Sequence, residues 1–389
     1  MESLVTPCVV DYRELHKVRL SYGWKPVENK YDCLTVLLNN VDANYLMAYG
    51  GRSIGKTYSA MAIVLLIKCV YGLPSVYIRR NDTDIYGSNM CSLISAHLEQ
   101  GSIYRDLVID RLFPDFDEDL QILDVSYKQR FVCINVKDLS SGKLVQSERV
   151  FYPCSLSCWE KYKGVEIRGC EFIVFDEYLS REGYLRDEFY LLTQLMSTFF
   201  RSRLGKVVMC SNTVSMINPY DEQMGLSHKS LSLGEIKVFE KHGRDFIILN
   251  RCKDYGLDNE ELFDFSNKKL RMITHGDWET GEYVIGLPSD GVSKLFVVEF
   301  KTSDYVFYCE VSVDNTKGLV GYCTSKREEP NFTILPANAF ALGTKEFIGL
   351  RTRNARVNSL LKSVVDNNKV IFDALETGEM YMNFFGKSF

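Results

Sequence analysis

The chain has 389 residues, long for one domain and comfortable for two, and its 46% hydrophobic and 25% charged content is ordinary for a globular protein. A net charge of −5 argues against a surface coated in basic residues for nucleic acid, yet leaves room for a few lysines and arginines lining a narrow channel. The twelve cysteines include no C-x-x-C pair, and Cys154 and Cys158 lack a matching His or Cys cluster, which speaks against zinc and for free thiols in a reducing cytosol. The N-terminus carries Glu2 and Asp11 early and no apolar signal core, and the longest apolar run is too short to cross a bilayer, so no membrane role is expected.

In chain order, residues 1 to about 40 are mixed and polar, with a helical lead-in around Leu15 to Leu20. From Tyr45 to about Tyr220, apolar strands alternate with helices, the pattern of a largely parallel α/β sheet. Its core strands are expected at Tyr45–Tyr49, Ser75–Arg79, Phe172–Phe175 and Val207–Ser211. A β-hairpin is expected from Arg130–Val136 and Leu144–Pro153, joined through Ser140-Ser141-Gly142. Residues 226–290, rich in charge and turn residues, read as a linker between domains at 1–225 and 291–389. The last domain shows three short strands, Leu295–Lys301, Tyr305–Val313 and Leu319–Cys323, as an antiparallel meander. A helix follows, with Val357, Leu360, Leu361, Val364 and Val365 on one face.

The first strand runs into Gly50-Gly51-Arg52-Ser53-Ile54-Gly55-Lys56-Thr57-Tyr58, spaced as G-x-x-x-x-G-K-T and followed by an apolar helical pattern. Strand, glycine loop and helix together make a phosphate cradle: backbone N–H groups and the helix N-terminus face the anion. In such a loop Lys56 reaches the β/γ oxygens of ATP and Thr57 ligates Mg2+. Phe172-Ile173-Val174-Phe175-Asp176-Glu177 has the form of a Walker B strand. Asp176 would enter the Mg2+ shell, and Glu177 would polarise the attacking water as general base. Asn135-Val136-Lys137-Asp138 imitates a guanine signature, but its spacing is wrong and it falls in the hairpin. Asn212 ends the next apolar strand, where a γ-phosphate sensor would stand or a turn asparagine would cap the strand. Arg201 and Arg203 follow a helical pattern, and two readings stand: an arginine finger, or helix-end arginines balancing the C-terminal dipole. Lys161, Lys163, Arg181 and Arg186 flank the Walker B strand and are candidates for a DNA-contacting pore lining as well as for ordinary surface charge.

Taken together, G-G-R-S-I-G-K-T-Y, V-Y-I-R-R at Val76 to Arg80, I-V-F-D-E-Y, F-R-S-R and S-N-T-V-S-M-I-N-P-Y at Ser211 to Tyr220 resemble the DNA-packaging ATPases of small tailed phages, the phi29-type encapsidation proteins. The resemblance implies a RecA-like ASCE P-loop ATPase domain, a linker, and a small α+β RNase H-like C-terminal domain without nuclease activity. It implies a homomeric, pentameric ring at the portal of an empty capsid in the host cytoplasm, driving double-stranded DNA inward, with a packaging RNA in some relatives. Arg201 becomes the trans-acting finger and Arg52 the P-loop arginine. The chain departs from the family in a longer N-terminus, a larger insertion between the two Walker motifs, and Asn81-Asp82 where basic character is expected. Two other functions compete. One is a terminase-like enzyme whose C-terminal domain cuts DNA through acids such as Glu299, Glu310 and Asp314; the other is a nucleotide-gated docking module with an idle Glu177.

Overall fold

A computed structural model describes residues 8–165, 167–180, 183–201, 203–214, 218–253, 284–287, 292–301, 305–315, 317–334, 355–367 and 369–385. Two helices, α1 (Tyr12–Ser21) and α2 (Cys33–Asn39), precede β1 (Tyr45–Gly50); Asp11 and Asp32 cap them by accepting from Arg13 N and Thr35 N. Then follow α3 (Lys56–Tyr71), β2 (Ser75–Arg79), α4 (Gly87–Ser95), α5 (Ile103–Leu112), β3 (Gln121–Lys128), β4 (Phe131–Asp138) and β5 (Leu144–Ser155). The first domain is completed by β6 (Phe172–Asp176), α6 (Glu188–Phe200), β7 (Lys206–Asn212), α7 (Pro219–Met224), β8 (Ile236–Lys241) and β9 (Arg244–Arg251).

These strands form one nine-stranded sheet in the order β3-β4-β5-β2-β6-β7-β1-β9-β8. Its centre is parallel, from β5 through β9, with antiparallel additions at both edges. Side chains alternate between the two faces with the period of a strand. Leu46, Ala48, Phe172 and Val174 pack against α1, α2, α3 and α5, whereas Met47, Tyr49, Ile173 and Phe175 pack towards α6. Both faces are covered, which is why the central strands read as continuous apolar runs. The four core strands and the hairpin stand where the sequence placed them, the hairpin widened by β3 into three antiparallel strands.

The linker expected at 226–290 begins later. Residues 236–251 form β8 and β9, and β9 extends the central sheet parallel to β1, Ile247 opposite Tyr45. Cys252 N still donates to Tyr49 O at 2.8 Å. Residues 254–283 and 288–291 of that segment lie outside the described residues.

The second sheet comprises β10 (Ser293–Lys301), β11 (Val306–Asp314), β12 (Gly318–Thr324), β13 (Phe332–Ile334) and β14 (Val370–Phe372), ordered β13-β10-β11-β12-β14. The meander is antiparallel, and β13 and β14 join its two edges in parallel. Its core gathers Val298, Phe300, Phe307, Cys309 and Cys323 with Leu361, Val364 and Val365 of α8 (Ala355–Asp366) and Tyr381 of α9 (Leu375–Phe385). This is the small α+β domain expected after the linker.

One buried ion pair ties the first sheet to its helices. The Arg80 guanidinium, at the end of β2, forks onto Glu188 at the start of α6 through Nε (2.7 Å) and Nη2 (2.9 Å), and the Tyr220 hydroxyl donates to the same carboxylate at 2.5 Å. Glu188 is 1% exposed. Truncating it leaves the Arg80 charge buried and uncompensated, so Glu188→Ala is expected to cost about 3–5 kcal/mol of stability in denaturant unfolding. A cost below about 1 kcal/mol would mean that solvent reaches this pair.

Candidate functional site

The glycine loop leaves β1 at Gly50 and enters α3 at Lys56, with Ser53 (φ 61°) and Gly55 (φ 93°) in the left-handed region that turns the chain into the helix. Lys56 is 6% exposed, yet carries no carboxylate ion pair among the described residues. Its ammonium donates to Gly51 O at 2.5 Å and to Gly50 O at 3.4 Å, and Asn212 Oδ1 is 3.5 Å away. Burial pushes its pKa down. A buried cation at a helix N-terminus, held by carbonyls rather than by a carboxylate, is built to receive an anion.

β6 delivers Asp176 to the same edge. Thr57 Oγ1 donates to Asp176 Oδ1 (2.9 Å), Tyr77 OH to Oδ2 (2.7 Å) and Arg79 Nη1 to Oδ2 (3.3 Å). Arg79 Nη2 also reaches Glu177 Oε2 at 2.5 Å. Burial works against the Arg79 charge, but Tyr77, Asp176 and Glu177 outweigh it and hold its pKa above the ordinary value. Glu177 itself takes φ 56°, a strained conformation for this residue, and its carbonyl accepts from Arg80 Nη1 at 3.0 Å. Strain at this position, clamped by two neighbouring arginines, marks a residue whose direction matters.

A cavity of about 910 Å³ connects these groups; Arg52, Lys56, Thr57, Asp176, Glu177 and Asn212 all line it. Gly50, Gly51, Ser53, Ile54 and Tyr58 occupy the loop and first turn as expected, and Tyr58 stacks on His97 with ring centroids 3.8 Å apart. β7, which carries Asn212, lies between β1 and β6, so the Lys56 and Asp176 strands are separated by one strand. The hard oxygen donors Thr57 Oγ1 and Asp176 Oδ1, side by side, suit Mg2+.

Arg201 stands apart. It follows α6, which crosses from the end of β6 to the start of β7, and therefore sits at the sheet edge opposite the glycine loop. The length of β7 puts roughly 20 Å between the two edges, beyond the reach of a side chain to its own phosphate site. The basic candidates that are described each have an acidic partner. Lys161 pairs with Asp82 (3.3 Å), Lys163 with Glu160 (3.3 Å) and Arg186 with Asp187 (3.5 Å), all well exposed, while Arg181 lies outside the described residues.

In the second domain Glu310 alternates with the core residues Phe307, Cys309 and Val311 along β11 and is held by Lys294 at 3.0 Å. Among the described residues no three His, Cys, Asp or Glu side chains are grouped where a metal ion could sit.

Sequence reasoning missed Arg79, Arg80 and Tyr77 as working residues, using Val76 to Arg80 only as a mark of likeness. A signal was available: two arginines directly at the carboxyl end of a buried parallel strand, the edge where α/β sheets bind ligands.

Fold and site thus define a RecA-like P-loop domain of the ASCE kind, with a small α+β domain after it. Residues 112–232 match the family described as Podovirus DNA encapsidation protein (Gp16), in line with the resemblance drawn from the motifs. The chain is 28% identical over 235 residues to the DNA packaging protein of Bacillus phage B103; the match covers 55% of this chain and 63% of that relative, less than two thirds of its length. Among solved structures, the bacteriophage phi-29 viral genome packaging motor assembly aligns over 92% of this chain and 98% of its own, at 18% identity and a TM-score of 0.49. The Phi-28 gp11 DNA packaging motor gives the same coverage and identity with a TM-score of 0.47.

If Lys56 is the anion ligand, Lys56→Ala should lower affinity for a triphosphate by roughly tenfold to a hundredfold, the range of a charge-assisted hydrogen bond. Glu177→Gln should bind as the wild type does. Equilibrium binding of a fluorescent ATP analogue measures both, and equal affinity for all three proteins would remove Lys56 from the site.

Proposed function

We propose that the chain is an ATP-driven packaging motor that moves double-stranded DNA into an empty capsid through its portal. The observation that carries the enzymatic half is the convergence of Lys56, Thr57, Asp176, Glu177 and Asn212 on one cavity. The DNA half rests on the likeness to the podovirus encapsidation proteins.

In this reading the glycine loop and Lys56 hold the triphosphate, with Arg52 beside it. Thr57 and Asp176 would hold Mg2+, which when bound supplies positive charge against the phosphate oxygens. Glu177 takes the proton of the attacking water. Its bond to Arg79 keeps the carboxylate aimed, and must loosen for the carboxylate to accept that proton. Asn212, within reach of Lys56, senses the γ-phosphate through its side-chain amide.

The place of Arg201 at the opposite sheet edge favours a finger donated to a neighbouring subunit, and with it a ring, pentameric as the family resemblance implies. Lys161, Lys163, Arg181 and Arg186 remain the candidate DNA contacts of such a ring, acting on phosphates and therefore without regard to sequence. A packaging RNA between ring and capsid would be a further partner.

Mixing tests the shared site. Arg201→Ala subunits keep an intact glycine loop, and Lys56→Ala subunits keep an intact finger. Neither should hydrolyse ATP alone, since a missing finger costs about 10³–10⁵-fold, while mixed rings should recover part of the wild-type rate. Mixed rings that form and stay inactive at every ratio would assign Arg201 a structural role and remove the trans mechanism.

A further inference from the structure

The cavity at the glycine loop, about 910 Å³, is lined by residues of the N-terminal segment between Gly23 and Asp32 as well as by the loop itself. Beyond Lys56 and Thr57 it is lined by Trp24, Val27, Ile103 and Tyr104. None of these has phosphate chemistry; together they offer apolar and aromatic surface, the usual lining of a small-molecule pocket. Val27 is 62% exposed, a cost that a bound partner would remove.

Trp24 is held with unusual care for a half-buried residue in a connection between helices. The Arg19 guanidinium lies over its ring, 3.6 Å from the centroid, and His16 meets it edge-on at 5.9 Å. Arg19 is 1% exposed and is locked in turn by a fork onto Asp32 (2.9 and 2.8 Å) and by Nε to His16 Nδ1 (2.9 Å). Asp32 and its neighbours are tied to the glycine loop itself. Tyr31 N donates to Ile54 O (2.8 Å), Lys30 Nζ to Ser53 O (3.1 Å), and Cys33 N to Ser59 Oγ (2.6 Å) in the first turns of α3. The indole is therefore fixed relative to the phosphate cradle through a chain of short contacts.

We propose that Trp24, backed by Arg19, is the stacking platform for the purine base of the nucleotide, with Val27 and Tyr104 closing the subsite; the proposal rests on the reading of the glycine loop as a triphosphate site. With one face against Arg19, the indole offers its opposite face to the base, so that guanidinium, indole and purine form one stack. A tethered N-terminal platform also gives this chain a means of sensing the whole nucleotide, since the base contacts Trp24 while the phosphates contact the loop to which residues 30–33 are bonded.

The experiment compares Mg-ATP with inorganic tripolyphosphate, which carries the phosphates and no base, as competitors of a fluorescent nucleotide on the full chain. Trp24→Ala should weaken ATP by roughly 5-fold to 150-fold, the range of base–aromatic stacking, and leave tripolyphosphate unchanged. Trp24→Phe should restore most of the affinity. In a Trp159→Phe, Trp278→Phe background, ATP should change the Trp24 emission and tripolyphosphate should not, a readout that needs no truncation of Trp24. Equal ATP affinity in Trp24→Ala, equal losses for both ligands, or Trp24 emission indifferent to saturating ATP would each overturn the base subsite while leaving the phosphate site standing. A wild-type chain that binds neither ligand would instead overturn the phosphate site, and the subsite with it.

Discussion

The carboxylate of Asp176 is the point on which the site depends. It ends the central strand β6 with 6% exposure, and three side-chain donors from two other elements meet it: Thr57 from α3, and Tyr77 and Arg79 from β2. A charge so far from water is tolerable only with partners of good geometry, so α3, β2 and β6 are held in one relation by the same interaction that would prepare the proposed cation site. Removing any donor would loosen both the edge of the sheet and the machinery placed on it.

From that junction the two arginines at the end of β2 divide the work. Arg79 faces the carboxylates of Asp176 and Glu177, whereas Arg80 turns to the other side, holding the Glu177 carbonyl and the Glu188 carboxylate at the start of α6. α6 then spans the sheet and ends at Arg201. One rigid helix therefore links the backbone of the residue that would activate water with the residue that would serve a neighbour. Any shift of Glu177 on catalysis would be felt, through Arg80 and Glu188, at the base of that helix.

Much of this was legible in the sequence, for a physical reason. The central strands are buried on both faces, so they appear as apolar runs ending in residues that line the cavity, and Lys56, Thr57, Asp176 and Asn212 could be placed by counting along them. β9 was lost although Ile247-Ile248-Leu249 carries the same signal, because the charges of the solvated edge strand β8 beside it made the region read as a linker. Arg79 and Arg80 were visible as letters, but their opposite directions depend on side-chain geometry at a strand end, which no pattern of residues encodes. Trp24 was invisible for another reason: its role depends on residues 30–33 bonding to the glycine loop, contacts that only the folded chain brings together. Of the four basic candidates flanking β6, the described Lys161, Lys163 and Arg186 pair with acids close by, contacts that depend on side-chain geometry.

The most direct test of the motor reading is the protection of duplex DNA. Purified chain, empty capsids bearing their portal, linear duplex DNA and Mg-ATP should yield DNA that resists nuclease digestion. The protected amount should grow with time, and none should form with a non-hydrolysable ATP analogue. ATP hydrolysis that proceeds without any protected DNA, at a rate indifferent to DNA and capsids, would contradict the account and leave the chain a nucleotide switch rather than a motor.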